Sequence, residues 1–270
     1  MLIDQSGKVS PVSADFYVSA LPVEIMTGLV THDLKSAAPS LASLDKLQTH
    51  WMNGIQFYLK NDVPLVHEHS NYLDSPWALT SISQRQFWPG VDFAGLGDGM
   101  VGGILSVVIS DWDAAGIVYG KPATGCTAGE IKTEVWAQLK SHLNTGAAEP
   151  ISDSNLLPWF LDPDIQFPNP SAVMNAGPLV INPAGSLQYR PEASTEIPNL
   201  FLASDYVRTY TDLETMEGAN EAARRSVNAL IDASGSTATK AQLWPFQEPE
   251  IFMPTREYDL MRFKLGLPHS

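Results

Sequence analysis

In the middle of the chain, hydrophobic residues follow a strand-like pattern first and a helix-like pattern after it. Apolar and polar residues alternate at 55–59, and residues 104–109 form a short apolar run. Both patterns are typical of β-strands, so this part is expected to form an antiparallel-rich sheet. Thr127 and Glu130 then have the spacing of a capping box, and apolar residues recur every three or four positions after them. This spacing predicts a helix over about 128–143.

The N-terminal residues are predicted to form short strands and one helix. Apolar β-formers lie at residues 2–3 and in the centre of 14–20, and a turn at Gly7 separates the two segments. Pro22 then stands at the first position of a helix over 23–29, where its missing N–H costs nothing.

The C-terminal part is predicted to contain one strand, one long helix and an aromatic tail. A strand at 200–203 leads through a loop into a helix over about 216–233, and Gly235 ends that helix. The tail 236–270 is extended, then forms a short amphipathic helix. It has too many aromatic residues for a solvated terminus, so it is expected to dock on its own chain or on a partner.

Composition and charge exclude several classes of protein. The 270 residues include 16 Lys and Arg, 30 Asp and Glu, a net charge of −14, and one cysteine, Cys126. One cysteine cannot form an internal disulfide, which excludes the cystine-stapled secreted class. The acidic charge argues against nucleic-acid binding and against charge-driven attachment to anionic lipid. No long apolar run or signal peptide is visible, so no transmembrane segment is expected and the cytoplasm is the expected location.

Three short motifs suggest chemistry but favour structural roles. Residues 97–102 fit the pattern G-x-G-x-x-G, yet a loop precedes them and the strand at 104–109 follows, so a hairpin turn is expected. His67 and His69 could chelate a metal, but two ligands do not make a site, and an exposed location without metal is expected. Cys126 has no recognisable base near it and is expected to be a small buried residue.

The most informative segment is 197–230, which contains a strand, an acidic residue, a polar loop and a helix. Asp205 follows the strand, and Gly218 and Ala219 open a helix that has no bulky side chain in its first two turns. Such a helix start lets a ligand or another backbone come close, and its free N–H groups stabilise negative charge. An Ala-rich helix packed on a sheet explains the same pattern, and the residues alone leave both interpretations open.

The same segment resembles the C-terminal FAD motif of the flavin amine oxidase and phytoene desaturase superfamily, in particular its hydroxysqualene-dehydroxylase-like and carotenoid-desaturase-like branch. The family motif runs Leu-Phe-Leu-Ala-Gly-Asp, then a loop, then Met-Glu-Gly-Ala. Here Leu-Phe-Leu-Ala-Ser-Asp ends at Asp205, and Met-Glu-Gly-Ala begins at Met216. Further segments resemble the same branch: 14–24 and those that begin at Trp51, Asp74 and Trp159. The resemblance therefore covers most of residues 10–233.

This resemblance implies that the chain contacts FAD. Asp205 would hydrogen-bond the ribityl or pyrophosphate-linked part of the cofactor. The start of the helix would lie under the flavin pyrimidine ring, where its dipole favours the negative charge of reduced flavin. The cofactor-binding residues implied are Asp205, Thr215, Met216, Glu217, Gly218 and Ala219. Ser204 and Ala223 stand where the family has glycine, and no catalytic side chain is implied because the flavin performs the hydride step.

The resemblance also implies an incomplete cofactor domain, because the strand, Gly-rich turn and helix that hold the ADP half of FAD in this family are absent here. The expected fold is α+β with an α/β part. It has a substrate domain on a mixed, antiparallel-rich sheet, and the C-terminal strand and helix of a Rossmann-like FAD-binding domain whose N-terminal half is missing. The expected segments are 1–30 re-entering the FAD-binding domain, 31–195 as substrate domain, 196–235 as C-terminal FAD-binding segment and 236–270 as docking tail.

Three functions are compatible with these features. The first is one subunit of a split FAD-dependent oxidoreductase, which acts on a lipophilic or secondary-metabolite substrate and shares FAD with a separately encoded N-terminal FAD-binding subunit. The second is a stand-alone module that has lost FAD and acts in substrate binding or flavin-free chemistry. The third is an inactive fragment or degenerate copy.

Overall fold

The computed structural model describes residues 2, 3, 5–146, 149–169, 172–247 and 249–268. These residues form two compact units. The first unit combines the residues up to Gln48 with those from Val180 onward, and the second unit spans Thr49–Leu179. Residues 31–48 and 180–195, which the sequence assigned to the substrate segment, therefore pack within the first unit.

The second unit is built on a five-stranded antiparallel sheet. The strands of the unit, three of them outside this sheet, are β4 (Thr49–His50), β5 (Asn53–Leu59), β6 (Ser70–Asn71), β7 (Thr80–Ser83), β8 (Gly103–Ile109), β9 (Leu156–Leu161), β10 (Ile165–Asn169) and β11 (Ala172–Asn175). The order of strands in the sheet is β6-β7-β8-β5-β9. Strands β5 and β8 pair along their full length, from Asn53 opposite Ile109 to Leu59 opposite Gly103. The antiparallel-rich sheet expected from the alternating pattern is confirmed.

One face of this sheet packs against helix α3 (Ala128–Leu143). Alternate residues of β5 and β8 are fully buried in that core, and the Phe57 ring lies 5.0 Å from the Trp136 ring of the helix. Each large apolar side chain buried in this way contributes roughly 1.5–3 kcal/mol. Helix α3 begins with the expected capping box, since Thr127 Oγ1 accepts from the Glu130 N–H and the Glu130 carboxylate accepts from the Thr127 N–H.

A buried carboxylate on α3 holds the loop that precedes the helix. Glu134 is fully buried and accepts hydrogen bonds from three consecutive backbone N–H groups, at 2.5 Å from Ile117, 2.9 Å from Val118 and 3.2 Å from Tyr119. Gln138, one turn further on, donates to the same carboxylate at 3.0 Å. The charge is therefore satisfied inside the unit, as a buried carboxylate requires.

Among the residues that the structure describes, the first unit contains four α-helices and several short strands. They are β1 (Leu2–Ile3), β2 (Val9–Ser10), β3 (Tyr17–Ser19), α1 (Val23–Leu29), α2 (His32–Ala37), β13 (Leu200–Leu202), α4 (Met216–Ser234) and α5 (Met253–Lys264), while β12 (Leu179–Val180) lies at the division between the units. Strands β3 and β13 form a two-stranded parallel sheet in which Val18 lies opposite Phe201. The core of the unit joins α1, a 3-10 segment at Pro39–Lys46, β13 and α4.

Two details at the N-terminal side differ from the sequence prediction. The strand predicted over 14–20 is reduced to β3, because Tyr17 to Ser19 are the residues that pair with β13. Pro22 is the N-cap of α1 and not its first helical residue, with an extended ψ of 159°. The glycine-rich segment 97–102 lies in the long connection 84–102 between β7 and β8, so it forms turns but not a tight hairpin.

The tail first packs along α4 and then exposes its aromatic residues. The Asn228 side chain bonds both backbone groups of Ala241, at 2.7 and 2.9 Å, and the Arg224 guanidinium lies 4.8 Å from the centre of the Trp244 ring. Helix α5 ends the described tail, and the aromatic side chains there, such as Phe263, are exposed. None of the helices in the described residues is long and apolar enough to cross a membrane.

Candidate functional site

The loop 203–215 between β13 and α4, together with the first turn of α4, carries the residues implicated by the sequence. It starts where the Ala203 N–H donates to the Ser19 carbonyl of β3 at 2.8 Å. Asp205 follows at once, and its carboxylate accepts a hydrogen bond from Ser204 Oγ at 2.9 Å. The serine that replaces the family's glycine therefore occupies one acceptor position of Asp205.

A buried arginine fixes both ends of this loop. Arg190 is 3% exposed, and its guanidinium donates to the Asp205 carbonyl at 2.6 Å and to the Asn182 side chain at 2.5 Å. Asn182 in turn donates to the Asp212 carbonyl at 2.5 Å. Burial lowers the pKa of Arg190, while the negative charges of Asp212, Asp205 and Glu214 oppose that change.

The start of α4 has a capped, open N-terminus. The Thr215 hydroxyl accepts from the Gly218 N–H at 3.1 Å, which makes Thr215 the N-cap. Met216 and Glu217 are exposed, Ala219 is half-buried, and Gly218 is buried. The first N–H groups of a helix have no acceptor within the helix, so Met216 and Glu217 present donors at this exposed end.

The small residues of α4 face the body of the chain's own first unit. Gly218, Ala222 and Ser226 are spaced four apart and are all buried. A Cβ atom at Gly218 would lie well under 3.0 Å from the Leu213 carbonyl oxygen, a separation that real side chains do not tolerate. The Leu213 carbonyl of the chain's own backbone therefore requires glycine at position 218. The sequence left open whether this helix start binds a ligand or only packs on the sheet. Packing explains the buried stripe, whereas Met216 and Glu217 remain accessible to a ligand.

Glu214 forms an acidic pair with Asp205. Burial is the main cause that raises the pKa of Glu214 to about 9, and its interaction with Asp205 adds to the increase. Oε2 of Glu214 is buried and has no hydrogen-bond partner among the described residues. Two ionised carboxylates cannot donate to one another, so this oxygen is left unsatisfied unless a proton is present.

A small cleft lies beside this network. Its volume is about 190 Å³, and Asn182, Gly185, Arg190 and Asp212 are among the residues that line it. Pockets that hold a whole cofactor or drug-sized ligand usually measure about 300–1,000 Å³. The cleft alone is therefore too small to enclose a dinucleotide.

Cys126 is the small buried residue predicted from the sequence, and His67 has the exposed location predicted for it. Cys126 is buried, and burial raises the pKa of its thiol to about 11. His67 is exposed, interacts with the Gln86 carbonyl and stacks on Phe87. In the described part of the chain no group of His, Cys, Asp and Glu side chains has the arrangement of a metal site.

Comparison with known protein families decides the superfamily. The family model described as flavin containing amine oxidoreductase matches residues 2–231. The chain belongs to this family. No curated protein matches the chain. Membership of this family supports FAD-dependent oxidoreductase chemistry, and the site is compared with that class of function.

The site has features that suit a flavin, although FAD is absent from the structure. Asp205 offers a carboxylate, the start of α4 offers N–H donors, and Glu214 Oε2 is a buried polar atom without a partner. Asp205 and Thr215–Ala219 were predicted from the sequence, and the structure brings them together around one loop and helix start. Sequence reasoning missed Arg190, Asn182 and Glu214. No local pattern distinguishes them from solvated loop residues, because their contacts form only when the loop folds back.

Proposed function

We propose that this chain is one subunit of a split FAD-dependent oxidoreductase and that a separately encoded chain supplies the dinucleotide-binding half. When bound, FAD supplies the hydride acceptor or donor. The chain's own part is to bind and orient the flavin end through Asp205 and the residues Thr215, Met216, Glu217, Gly218 and Ala219. Asp205 would accept a hydrogen bond from a cofactor hydroxyl, and the N–H groups at the start of α4 would stabilise the negative charge of a reduced flavin.

The open edge of β3 is the observation that supports a partner most directly. Strand β3 pairs on one side with β13, and within the described residues no strand pairs with its other edge. Parallel sheets occur almost only where both faces are covered, and two-stranded sheets are marginal alone. Yet Val18 of β3 is 51% exposed. An added parallel strand from a second chain would satisfy this edge and cover the apolar side chain.

Neighbouring apolar residues support the same interface. On α1, Ile25 and Leu29 are spaced four apart, so they lie on one face of the helix, and both are about half exposed. A charged or polar residue is expected on the solvent face of a short surface helix. The exposed apolar face therefore favours contact with another protein surface.

The substrate is proposed to be a lipophilic small molecule that contacts the open face of the sheet in the second unit. Aromatic residues such as Trp77 and Trp112 fill the core on one side of this sheet. The opposite face of the sheet combines half-buried apolar side chains with a polar row, in which Gln56 and Gln84 both donate to Ser106 Oγ. Such a face suits an apolar substrate with one hydrogen-bonding group.

Co-expression with the chain encoded by the neighbouring gene tests the proposal. The complex is expected to be yellow with one FAD, whereas the lone chain is expected to be colourless, because the proposal assigns most of the ADP contacts to the second chain. Val18→Lys should prevent assembly by placing a charge at the strand edge, and Val66→Lys, an exposed change in the second unit, should not. Stoichiometric FAD in the lone chain would contradict a shared cofactor.

Asp205→Ala is the matching test of the site. The variant should lose flavin from the complex and retain assembly, because it removes the carboxylate proposed to bind the cofactor, with its local contacts to Ser204 and Glu214, and leaves the edge of β3 unchanged. Unchanged FAD occupancy would show that the loop is purely structural.

The alternative, a stand-alone module without FAD, is favoured by one observation. Ser204 Oγ already bonds Asp205 Oδ1 at 2.9 Å, which reduces the acceptor capacity left for a cofactor. Ser204→Gly distinguishes the two functions. It should increase flavin affinity in a true flavin subunit and should have no effect on a module that no longer binds flavin.

A further inference from the structure

The carboxyl group of Glu214 is held in a place where an ionised form is unfavourable. Its Oε2 atom is buried without a partner, while the Val180 backbone and the Asp205 side chain lie within hydrogen-bonding reach of the carboxyl group. Glu24 of α1 also faces it and adds negative charge. The guanidinium of Arg190 does not bond the Glu214 carboxylate in this network. It donates to the main-chain carbonyl of Asp205 and to Asn182.

A proton between the two carboxyl groups resolves this arrangement. With one proton present, Glu214 can donate to Asp205, and one of the two charges is removed. Asp205 keeps its contact with Ser204. Like charges in close carboxyl pairs are the usual reason why only one member ionises.

We propose that Glu214 and Asp205 share one proton, and that Glu214 is thereby a positioning residue that fixes the Asp205 carboxylate for the cofactor contact. The part of the proposal that concerns the cofactor contact rests on the function proposed above. Its proton-sharing part concerns the chain alone and can be tested without any flavin.

The first experiment follows carboxyl carbons by NMR in the full chain labelled with ¹³C-glutamate. The Glu214 resonance is identified by its absence in Glu214→Gln. It should titrate near pH 9, and Asp205→Asn should lower its midpoint because the repelling charge is gone. Titration of Glu214 within one pH unit of an ordinary glutamate, or a midpoint that Asp205→Asn leaves unchanged, would overturn the proposal.

The second experiment compares the unfolding equilibrium of the wild type with that of Glu214→Gln between pH 5 and pH 9. The folded chain keeps a proton that the unfolded chain loses above the ordinary glutamate pKa. The Glu214 contribution to stability is therefore present at low pH and declines as the pH rises toward about 9. The ratio of the two unfolding constants should change by up to about tenfold per pH unit. Asp33→Asn, an exposed acid on α2, should give a constant ratio. A constant ratio for Glu214→Gln as well would refute the shared proton.

The third experiment measures FMN binding to the flavin-free complex with the partner chain by fluorescence quenching, since FMN has the flavin and ribityl groups but not the adenosine part. Between pH 7.5 and 9.5 the neutral fraction of Glu214 falls to about a quarter, so the affinity of the wild type should fall about fourfold. Glu214→Gln should bind like the wild type at pH 7.5 and keep that affinity at pH 9.5, whereas Glu214→Ala should bind weakly at both. An equal pH response in wild type and Glu214→Gln contradicts the positioning role. Absence of FMN binding at both values contradicts the proposed function, and the carbon titration still decides the proton sharing.

Discussion

Gly218→Ala should destabilise the first unit, although alanine is the better helix former. In an unstrained helix the change would stabilise by roughly 0.5–1 kcal/mol. Here the new Cβ would lie under 3.0 Å from the Leu213 carbonyl oxygen, whereas ordinary contact begins at 3.4 Å. The carbonyl must therefore retreat by at least about 0.4 Å, and overpacking of this kind typically costs about 1–3 kcal/mol.

The displaced carbonyl also belongs to the helix cap. Leu213 accepts from the Thr215 N–H at 3.0 Å, and Thr215 caps Gly218. Loss of an N-cap contact costs about 1 kcal/mol. Combined with the overpacking cost and set against the gain in helix propensity, the net destabilisation should be about 2 kcal/mol, or a decrease in Tm of about 4–8 °C.

The assay must report on the first unit. Six of the seven tryptophans lie between residues 51 and 159, so tryptophan fluorescence follows mainly the second unit. Hydrogen exchange of peptides that cover 205–234 is therefore the direct measurement, with circular dichroism for the Tm. Exchange in these peptides should accelerate in Gly218→Ala.

Gly129→Ala is the matched control, because Gly129 lies in the first turn of α3 and a Cβ there meets nothing within 4 Å. It should raise stability by up to about 1 kcal/mol. If Gly218→Ala stabilised the chain as Gly129→Ala does, the Leu213 carbonyl would not be the reason for glycine at position 218.

Three further predictions concern other features. Native Cys126 should react with a disulfide reagent at pH 8 about 100-fold more slowly than in urea, because burial raises its thiol pKa from 9.0 to about 11; equal rates would contradict its burial. Asn228→Ala should speed tryptic cleavage after Lys240, since both bonds to Ala241 are lost, while cleavage in the second unit serves as internal control. Glu134→Ala should lower the unfolding free energy of the second unit by about 3 kcal/mol, at about 1 kcal/mol for each orphaned N–H group; an unchanged urea midpoint by tryptophan fluorescence would refute this.

Local signals predicted the elements well where side-chain period and capping agree. Helix α3 follows its capping box, and β5 follows its alternation of buried and half-buried residues. The helix at 23–29 was also predicted, although Pro22 precedes it as the N-cap.

Contacts between distant segments could not be predicted in this way. Arg190 and Asn182 are separated from the loop at Asp205 and Asp212 by the strand β13, and their bonds depend on how that strand returns. Glu214 has the sequence context of a solvated loop glutamate. Its proximity to Asp205 arises from the fold-back of the eight intervening residues, for which a single sequence has no signal.

The clamp that Glu134 forms on residues 117–119 has a consequence for molecular recognition. These three side chains are all exposed and apolar or aromatic, yet their backbone is already fixed by the buried carboxylate. Ordering a loop upon association usually consumes about 0.5–1.5 kcal/mol for each immobilised side chain. A surface with a fixed backbone loses less conformational freedom when it meets a ligand or protein, so Ile117, Val118 and Tyr119 form a rigid contact point that is ready before any encounter.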